Sequence, residues 1–386
     1  MAETGISTFT TSIFTILILW IAISETNSAL ITGATSALLV APLVFNIVVG
    51  AFIDKTSRKK VYAIMGPLLK ALAATVLLLV IYNHSLIYDT VLLFLSALTF
   101  GISIDILVPI RAIWSQKFLR KPVYLKGMSV ANLVSRGSRL SGFLVAAFII
   151  TMNLRISVSS VILLYIISTV PILFISSVKD SIPGKGRLRD IMKDGLSYMG
   201  RTSLVAEIIV ISSVSALFWG MADSVSTVMI NRVFNLTPTY LSYTFFAVSL
   251  GGIAGSSLTS KLEAVKSVGK KLSWLYGLAG LSLIFIALYP SILVLFIVFF
   301  FVGLVSGIAS PIISAVLFGN VQRDKMGRIQ GAMDTFGTSF NSVSGILAGL
   351  AMTLIFPGDV FYIMGAGLLA LSILISRFEL LSKTDI

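Results

Sequence analysis

The chain has 386 residues, of which 56% are hydrophobic and only 12% are charged, and its mean hydropathy is +1.00. Soluble domains carry roughly 45–50% apolar and about 25% charged residues, so this composition excludes a water-soluble globular fold. The 29 Lys and Arg outnumber the 16 Asp and Glu, giving a formal charge of +13. The sequence has no Cys and one His, which excludes disulfides, thiolate chemistry and Cys/His metal sites.

Apolar stretches of about 20 residues recur along the whole chain, and each is long enough to cross a bilayer as a helix. They predict an all-α integral membrane protein with twelve spans. The predicted spans are 8–25, 29–53, 61–82, 90–110, 128–151, 156–177, 203–230, 238–260, 272–289, 291–318, 331–355 and 359–376. The first two are separated by very few residues, but one helix of about 46 residues would be twice the bilayer thickness, so two helices are required.

The distribution of cations predicts the orientation. Successive connections between spans lie on alternate sides of the membrane. On one side they and the C-terminal tail carry 24 Lys and Arg, including Arg111, and on the other side they carry only Arg155 and Arg232. The positive-inside rule then places both termini and all basic loops in the cytoplasm, with the protein in the cell membrane. The remaining three cations fall inside spans.

The longest connection divides the chain into two halves of six spans, 1–177 and 203–386. In the linker 178–202, apolar residues recur at helical spacing from Leu188 to Met199, which predicts an amphipathic helix at the cytoplasmic interface. This helix is either a solvated linker or a regulatory lipid-binding element. Residues 126–146 resemble residues 329–349, so span five repeats as span eleven. Parallel duplication of a six-helix unit predicts two pseudo-symmetric bundles with a substrate site between them.

The connection between spans two and three carries a recognisable motif, Gly50-Ala51-Phe52-Ile53-Asp54-Lys55-Thr56-Ser57-Arg58-Lys59. It resembles the loop motif of the major facilitator superfamily, in which Gly50, Asp54, Lys55, Arg58 and Lys59 match in register and Ser57 replaces a second Gly. The resemblance implies a cytoplasmic gate in which a cation of the motif reaches Asp334 at the start of span eleven. The second-half copy has Thr259 in place of the Asp, so we expect a one-sided gate.

Within that superfamily the chain is most similar to the drug- or macrolide-efflux-like branch, from Gly50–Lys60 and from Gln322–Arg328. Exporters of this kind usually carry Gly-Pro-x-x-Gly-Gly in span five. The aligned run here, Gly142–Ala147, lacks the Pro, but its small residues still predict a close helix contact.

Ionisable side chains inside spans are costly unless paired or hydrated, so each is a candidate functional group. Asp223 lies in span seven, which in the superfamily lines the central cavity. A carboxyl group there can take up and release a proton or bind a cation, as coupling requires. The alternative is a carboxylate that simply reaches water at the outer interface.

Span five carries two arginines, Arg136 and Arg139, which are three residues apart and share one helix face. Two guanidinium groups on one face need an anion. Asp105 of span four is predicted to neutralise one, leaving the other for Glu207, a substrate anion or water. Lys70 of span three is predicted to extend towards the membrane interface.

These features predict a secondary transporter that exports a small amphipathic or hydrophobic compound in exchange for protons or another coupling ion. Uptake or exchange of a small organic anion is an alternative, favoured by the cations in the first half. A transport-inactive membrane sensor or lipid-handling protein is another. Gly269-Lys270-Lys271 lacks the first Gly of a P-loop, so no ATP-driven or enzymatic function is expected. We expect a monomer in the lipid bilayer with no cofactor, no metal and no nucleic-acid partner.

Overall fold

The structure, a computed structural model, describes residues 1–83, 85–118, 124–175, 203–259, 267–320 and 326–384. The predicted linker 178–202 and its amphipathic helix lie outside these ranges. Helices form throughout the described ranges. The side chains of Asp54 and Lys55 are not among those described.

The described part of the first half contains seven α-helices, α1 (Ala2–Thr26), α2 (Ala29–Val40), α3 (Asn46–Lys55), α4 (Lys59–Asn83), α5 (Leu86–Phe118), α6 (Tyr124–Met152) and α7 (Leu154–Leu173). The second half contains α8 (Ser203–Val228), α9 (Pro238–Thr259), α10 (Val268–Leu288), α11 (Ile292–Asn320), α12 (Met326–Leu354), α13 (Val360–Ser376) and α14 (Glu379–Lys383). Ten helices of the described chain are long and apolar enough to cross a membrane. With α12 and the broken span α2–α3, the described ranges contain the twelve long helices that the sequence predicts.

The turn between α1 and α2 is built from two polar residues. Asn27 ends α1 in the left-handed conformation, with a φ of 45°, and its backbone N–H donates to the carbonyl of Ile23. The Ser28 hydroxyl then accepts a hydrogen bond from the backbone N–H of Ile31 and caps α2. The predicted separation of the first two spans is thereby confirmed.

Span two is broken, whereas the sequence predicts one continuous helix over 29–53. A 3₁₀ segment, Ala41–Phe45, separates α2 from α3, and it contains Pro42, which has no N–H to donate to the preceding turn. The break packs against Gly101 of α5, where an added Cβ would lie 2.7 Å from Pro42 Cδ and 2.8 Å from the carbonyl oxygen of Leu39. Only a glycine admits this approach.

Contacts divide the chain into two compact units, Met1–Gly186 with Thr237–Ser242, and Arg187–Leu236 with Tyr243–Ile386. In the first unit α1 packs on α6, α4 on α7, and α2 and α3 on α5. In the second unit α8 packs on α12 and α10 on α13. The glycines of α9 and α11 bring these two helices together so closely that a Cβ on Gly251, Gly255, Gly303 or Gly307 would overlap an opposing carbonyl. The first and fifth, second and fourth, and third and sixth spans therefore pair within each unit.

Large apolar side chains project from the helices. Leu133, Phe148, Trp274 and Leu293 are each more than 60% exposed. Exposed apolar surface is unfavourable in water but suits contact with lipid tails, and the helices that carry these residues have the length of bilayer spans. The chain is a multi-pass membrane protein.

Candidate functional site

The first half of helix α1 is rich in polar side chains, and three of them form a line along the helix. Glu3, Ser7 and Thr11 are four residues apart and therefore lie on one face of the helix. Ser7 is fully buried. Because α1 packs against α4, α5, α6 and α7, this polar face is enclosed within the first unit.

Lys70 of α4 projects onto this face. Its Nζ donates a hydrogen bond to Ser7 Oγ at 3.0 Å and another to Thr11 Oγ1 at 3.2 Å. Only 3% of Lys70 is exposed. The prediction that Lys70 extends towards the membrane interface is therefore wrong, because the hydroxyls of α1 provide polar partners inside the bundle.

Aromatic rings complete the surroundings of Lys70. Its Nζ lies 5.5 Å from the ring centroid of Phe100 and 5.7 Å from that of Tyr165. The Tyr165 hydroxyl donates to Thr11 Oγ1 at 3.4 Å, so lysine and tyrosine share one threonine. Cation–π contacts of this kind stabilise a charged ammonium by about 0.5–2 kcal/mol.

A second cation lies at the end of the unit where α1 begins. Arg111 of α5 donates to Glu3 from Nε to Oε2 at 3.1 Å and from Nη2 to Oε1 at 2.7 Å. This bidentate geometry fixes both side chains. Arg111 is predicted to lie in the loop after span four, but α5 continues to Phe118, so the residue belongs to the helix.

Asp105 is buried elsewhere in the same unit, with 3% exposure. Its carboxyl group accepts a hydrogen bond from the side chain of Asn46, at the start of α3. The other oxygen, Oδ1, has no hydrogen-bond partner among the described residues. The structure gives Asp105 no contact with Arg136 or Arg139, so the predicted pairing is wrong. The reason is topological: α5 packs on α4, α2 and α3.

Arg136 and Arg139 are both exposed on α6. Helix α6 contacts the opposite face of α1 from the one that carries Ser7: a Cβ on Gly5 would meet Val134 and one on Gly142 would meet Phe9. The two arginines therefore do not join the Lys70 cluster. The close contact predicted for Gly142 is confirmed, because an added Cβ would lie 2.5 Å from the carbonyl oxygen of Phe9.

Glu207, the other predicted partner for an arginine, has a different role in the second unit. Its Oε2 accepts a hydrogen bond from the backbone N–H of Leu381 at 3.1 Å. Glu207 thus binds the short helix α14 to α8. This contact holds one carboxylate oxygen, and the predicted pairing of Glu207 with an arginine of span five stays a prediction.

Asp223 lies in α8 and is half-buried. Its backbone carbonyl accepts hydrogen bonds from the hydroxyls of Ser226 and Thr227. Within the described ranges, no hydrogen bond or ion pair is formed by its carboxyl group. One turn earlier, Gly220 packs directly on Ser344 of α12, so this part of α8 is held tightly.

The loop motif is described only in part. The Lys59 Nζ donates to the carbonyl oxygen of Thr56 at 2.9 Å, and the Arg58 backbone N–H donates to the hydroxyl of the same Thr56. These bonds close the turn between α3 and α4. Gly50 lies on α3, where an added Cβ would be 3.8 Å from Pro109. Asp334 is exposed on α12, and the predicted gate stays a prediction.

Sequence reasoning missed most of the Lys70 cluster. Tyr165 and the ion pair of Glu3 with Arg111 come from distant segments, and no local pattern connects them. A signal was present in the run Ser7-Thr8-Phe9-Thr10-Thr11, which places hydroxyls in the first span. The described residues include no group of three or more His, Asp and Glu arranged to hold a metal ion.

Comparisons with known proteins agree with this architecture. A sequence model of the Major Facilitator Superfamily matches residues 4–345. No curated protein matches the chain at the level of sequence.

Several solved transporters have a similar fold. A peptide transporter in complex with sulfate has a TM-score of 0.72 at 12% identity, covering 99% of this chain and 94% of the other. The inward-open xylose transporter XylE from E. coli has a TM-score of 0.71 at 11% identity, covering 97% and 95%. The human organic anion transporter MFSD10 has a TM-score of 0.64 at 13% identity, covering 97% and 99%. Because the family model covers most of the chain, the protein belongs to the Major Facilitator Superfamily and is a transporter, not an enzyme.

Proposed function

We propose that the protein is a secondary transporter of the drug- or macrolide-efflux-like branch, working by alternating access. It exports a small amphipathic or hydrophobic compound across the cell membrane in exchange for protons. The observation that supports this proposal is Asp223, an acid on a membrane-spanning helix whose carboxyl group forms no hydrogen bond with the described residues. A carboxyl group in this setting can gain or lose a proton without breaking an existing ion pair.

Coupling follows from this property. When Asp223 carries a proton this part of α8 is neutral, and when it is ionised the helix presents one negative charge. A substrate that binds only the ionised form competes with the proton, which is the requirement for exchange. One proton enters for each substrate molecule released on the other side.

The test is export of ethidium, a small lipophilic cation, from proteoliposomes under an imposed pH gradient. Asp223→Asn should reduce pH-driven export at least tenfold, because the amide keeps the shape of the acid but cannot ionise. Asp359→Asn serves as the matched control, since Asp359 lies in the short turn Pro357–Asp359 before α13. Equal export by wild type and Asp223→Asn across the pH range would contradict the proposal.

A second candidate is uptake or exchange of a small organic anion. It is favoured by cations of the first unit: the buried Lys70 donates its hydrogen bonds to two hydroxyls, and Arg136 and Arg139 are exposed on α6. Radiolabelled benzoate uptake into the same proteoliposomes separates this candidate from export. Uptake by wild type that falls in Arg139→Gln, together with no ethidium export, would favour the anion.

A further inference from the structure

The partners of Lys70 are unusual for a buried cation. Both side chains that receive hydrogen bonds from its Nζ are hydroxyls, Ser7 and Thr11. Among the described residues, no carboxylate forms an ion pair with this ammonium group. A buried lysine that served only as a structural cation would ordinarily be paired with an acid, because an uncompensated charge in an apolar interior is costly.

Hydroxyl partners permit two protonation states in the same place. A hydroxyl is both a donor and an acceptor, whereas a carboxylate only accepts. The ammonium form of Lys70 donates to both oxygens. The amine form can accept a hydrogen bond from one hydroxyl and donate to the other. All three side chains then keep their hydrogen bonds, and the helices need not move. The nearby rings of Phe100 and Tyr165 favour the charged form without requiring it.

The charges around Lys70 can be assigned element by element. On α1 the nearest charged residue is Glu3, one turn before Ser7, and on α5 it is Arg111; these two form the bidentate pair. On α7 the titratable group is Tyr165, whose hydroxyl donates to Thr11. Two acids of α5 are also buried: Asp105, which contacts Asn46, and Asp89 in the first turn of the helix. Glu3 and Arg111 neutralise each other, so they leave the charge of Lys70 uncompensated.

A polar route connects this cluster to one end of the unit. The side chains of Arg111 and Glu3 are 28% and 12% exposed, so they lie at the entrance. Ser7 and Thr11 follow on the same face of α1, about 6 and 12 Å further along at a rise of about 1.5 Å per residue. Lys70 contacts both hydroxyls.

We propose that Lys70 is a second proton-binding site of the protein, located inside the first unit and reached along the polar face of α1. The ammonium group releases one proton to water at the Glu3–Arg111 end and takes one back from the same water. Each release removes one proton and one positive charge from Lys70, and each uptake restores them. The proposal rests on the proposed proton coupling only for its role in transport, because proton binding by Lys70 can be measured with no substrate present.

The test compares melting temperatures of the detergent-purified full chain from pH 6 to pH 10. Lys70→Arg keeps the charge and cannot release its proton, while Lys70→Gln has no proton to bind. Lys60→Arg is the matched control on the same helix, since the Lys60 Nζ is bound to the carbonyl of Leu173 at the surface. For one proton, the unfolding constant of wild type relative to a variant changes by up to about tenfold per pH unit.

We expect the difference in melting temperature between wild type and Lys70→Arg to change by a few degrees across this range. The difference for Lys60→Arg should stay constant. A constant difference for Lys70→Arg as well would overturn the proposal and make Lys70 a permanently charged structural residue. Failure of both Lys70 variants to fold at every pH would have the same meaning. Absence of ethidium export together with the expected pH dependence of these melting temperatures would instead contradict the proposed function alone.

Discussion

The guanidinium group of Arg111 and the carboxylate of Glu3 form a bidentate ion pair, with an Nη2 to Oε1 distance of 2.7 Å. The pair joins the first turn of α1 to the last part of α5, two segments separated by 108 residues. Because both groups are partly buried, water compensates only in part when one partner is removed. The pair therefore fixes where α1 begins relative to the rest of the first unit.

Glu3→Gln and Arg111→Gln should each lower the stability of the purified protein by roughly 1–3 kcal/mol, since each removes the bidentate ion pair. The double variant should lose less than the sum of the two, because the remaining amides can bond to each other. Thermal unfolding of the four proteins measures this. Additive losses would show that the two side chains act independently.

The pair of Glu379 and Lys383 provides a control for that cycle. Its N–O distance is 3.6 Å and its side chains are 84% and 76% exposed, so solvent screens the interaction. Glu379→Gln should leave the melting temperature unchanged within error. A large loss at this position would mean that exposure does not distinguish the two pairs.

Gly142→Ala should destabilise the first unit. The new Cβ would meet backbone, the carbonyl oxygen of Phe9, so α1 and α6 must separate, at a cost of about 1–3 kcal/mol. Gly137→Ala on the same helix should be neutral or stabilising by up to about 1 kcal/mol, since nothing lies within 4 Å of its Cβ position. Equal melting temperatures for the two variants would contradict the close contact of α1 with α6.

Both chain termini should be cytoplasmic. The prediction follows from the strong asymmetry of Lys and Arg between alternate connections, and the twelve long helices agree with it because an even number returns the chain to the same side. A reporter that is active only outside the cell, fused after Ile386, should give no signal. A strong signal would reverse the orientation.

Asp54→Asn should shift the protein towards a state open to the cytoplasm and slow transport. The substitution removes the negative charge of the loop motif, and contacts worth about 0.3–2 kcal/mol are enough to bias a two-state equilibrium several-fold. Labelling of single cysteines introduced into α3 reports the shift, in a protein that has none of its own. Thr259→Ala, at the equivalent position of α9, should change the labelling much less. The one-sided gate would be wrong if both variants changed it equally.

The positions of the spans could be predicted because the signal is local. Each span is an apolar run whose length the bilayer sets, and helices α1 and α2 separate at the Asn27-Ser28 turn as that argument requires. Pro42 can be read from the sequence, but its presence does not predict a break, since prolines also occur inside continuous helices such as α4. Contact with Gly101 is associated with the break in the folded chain.

The partners of the ionisable groups could not be predicted in the same way. Lys70 was identifiable as a cation inside a span, yet its environment depends on which faces of α1, α4, α5 and α7 meet. The sequence pairs Asp105 with the arginines of span five because the two spans are antiparallel and the groups lie at comparable depth, but α5 packs on α4, α2 and α3. Hydropathy contains no information about the rotation of a helix about its own axis.

The sequence by itself determined that the chain is a membrane protein of twelve helices, because insertion depends on the summed hydropathy of each segment. It also determined the family, through the loop motif and the match of residues 4–345 to one family model. The tertiary structure decided which polar groups share a site. Placing Lys70 on Ser7 and Thr11, and Arg111 on Glu3, requires helices distant in sequence to be packed in one register, and such packing depends on steric fit between faces and not on the composition of any one span.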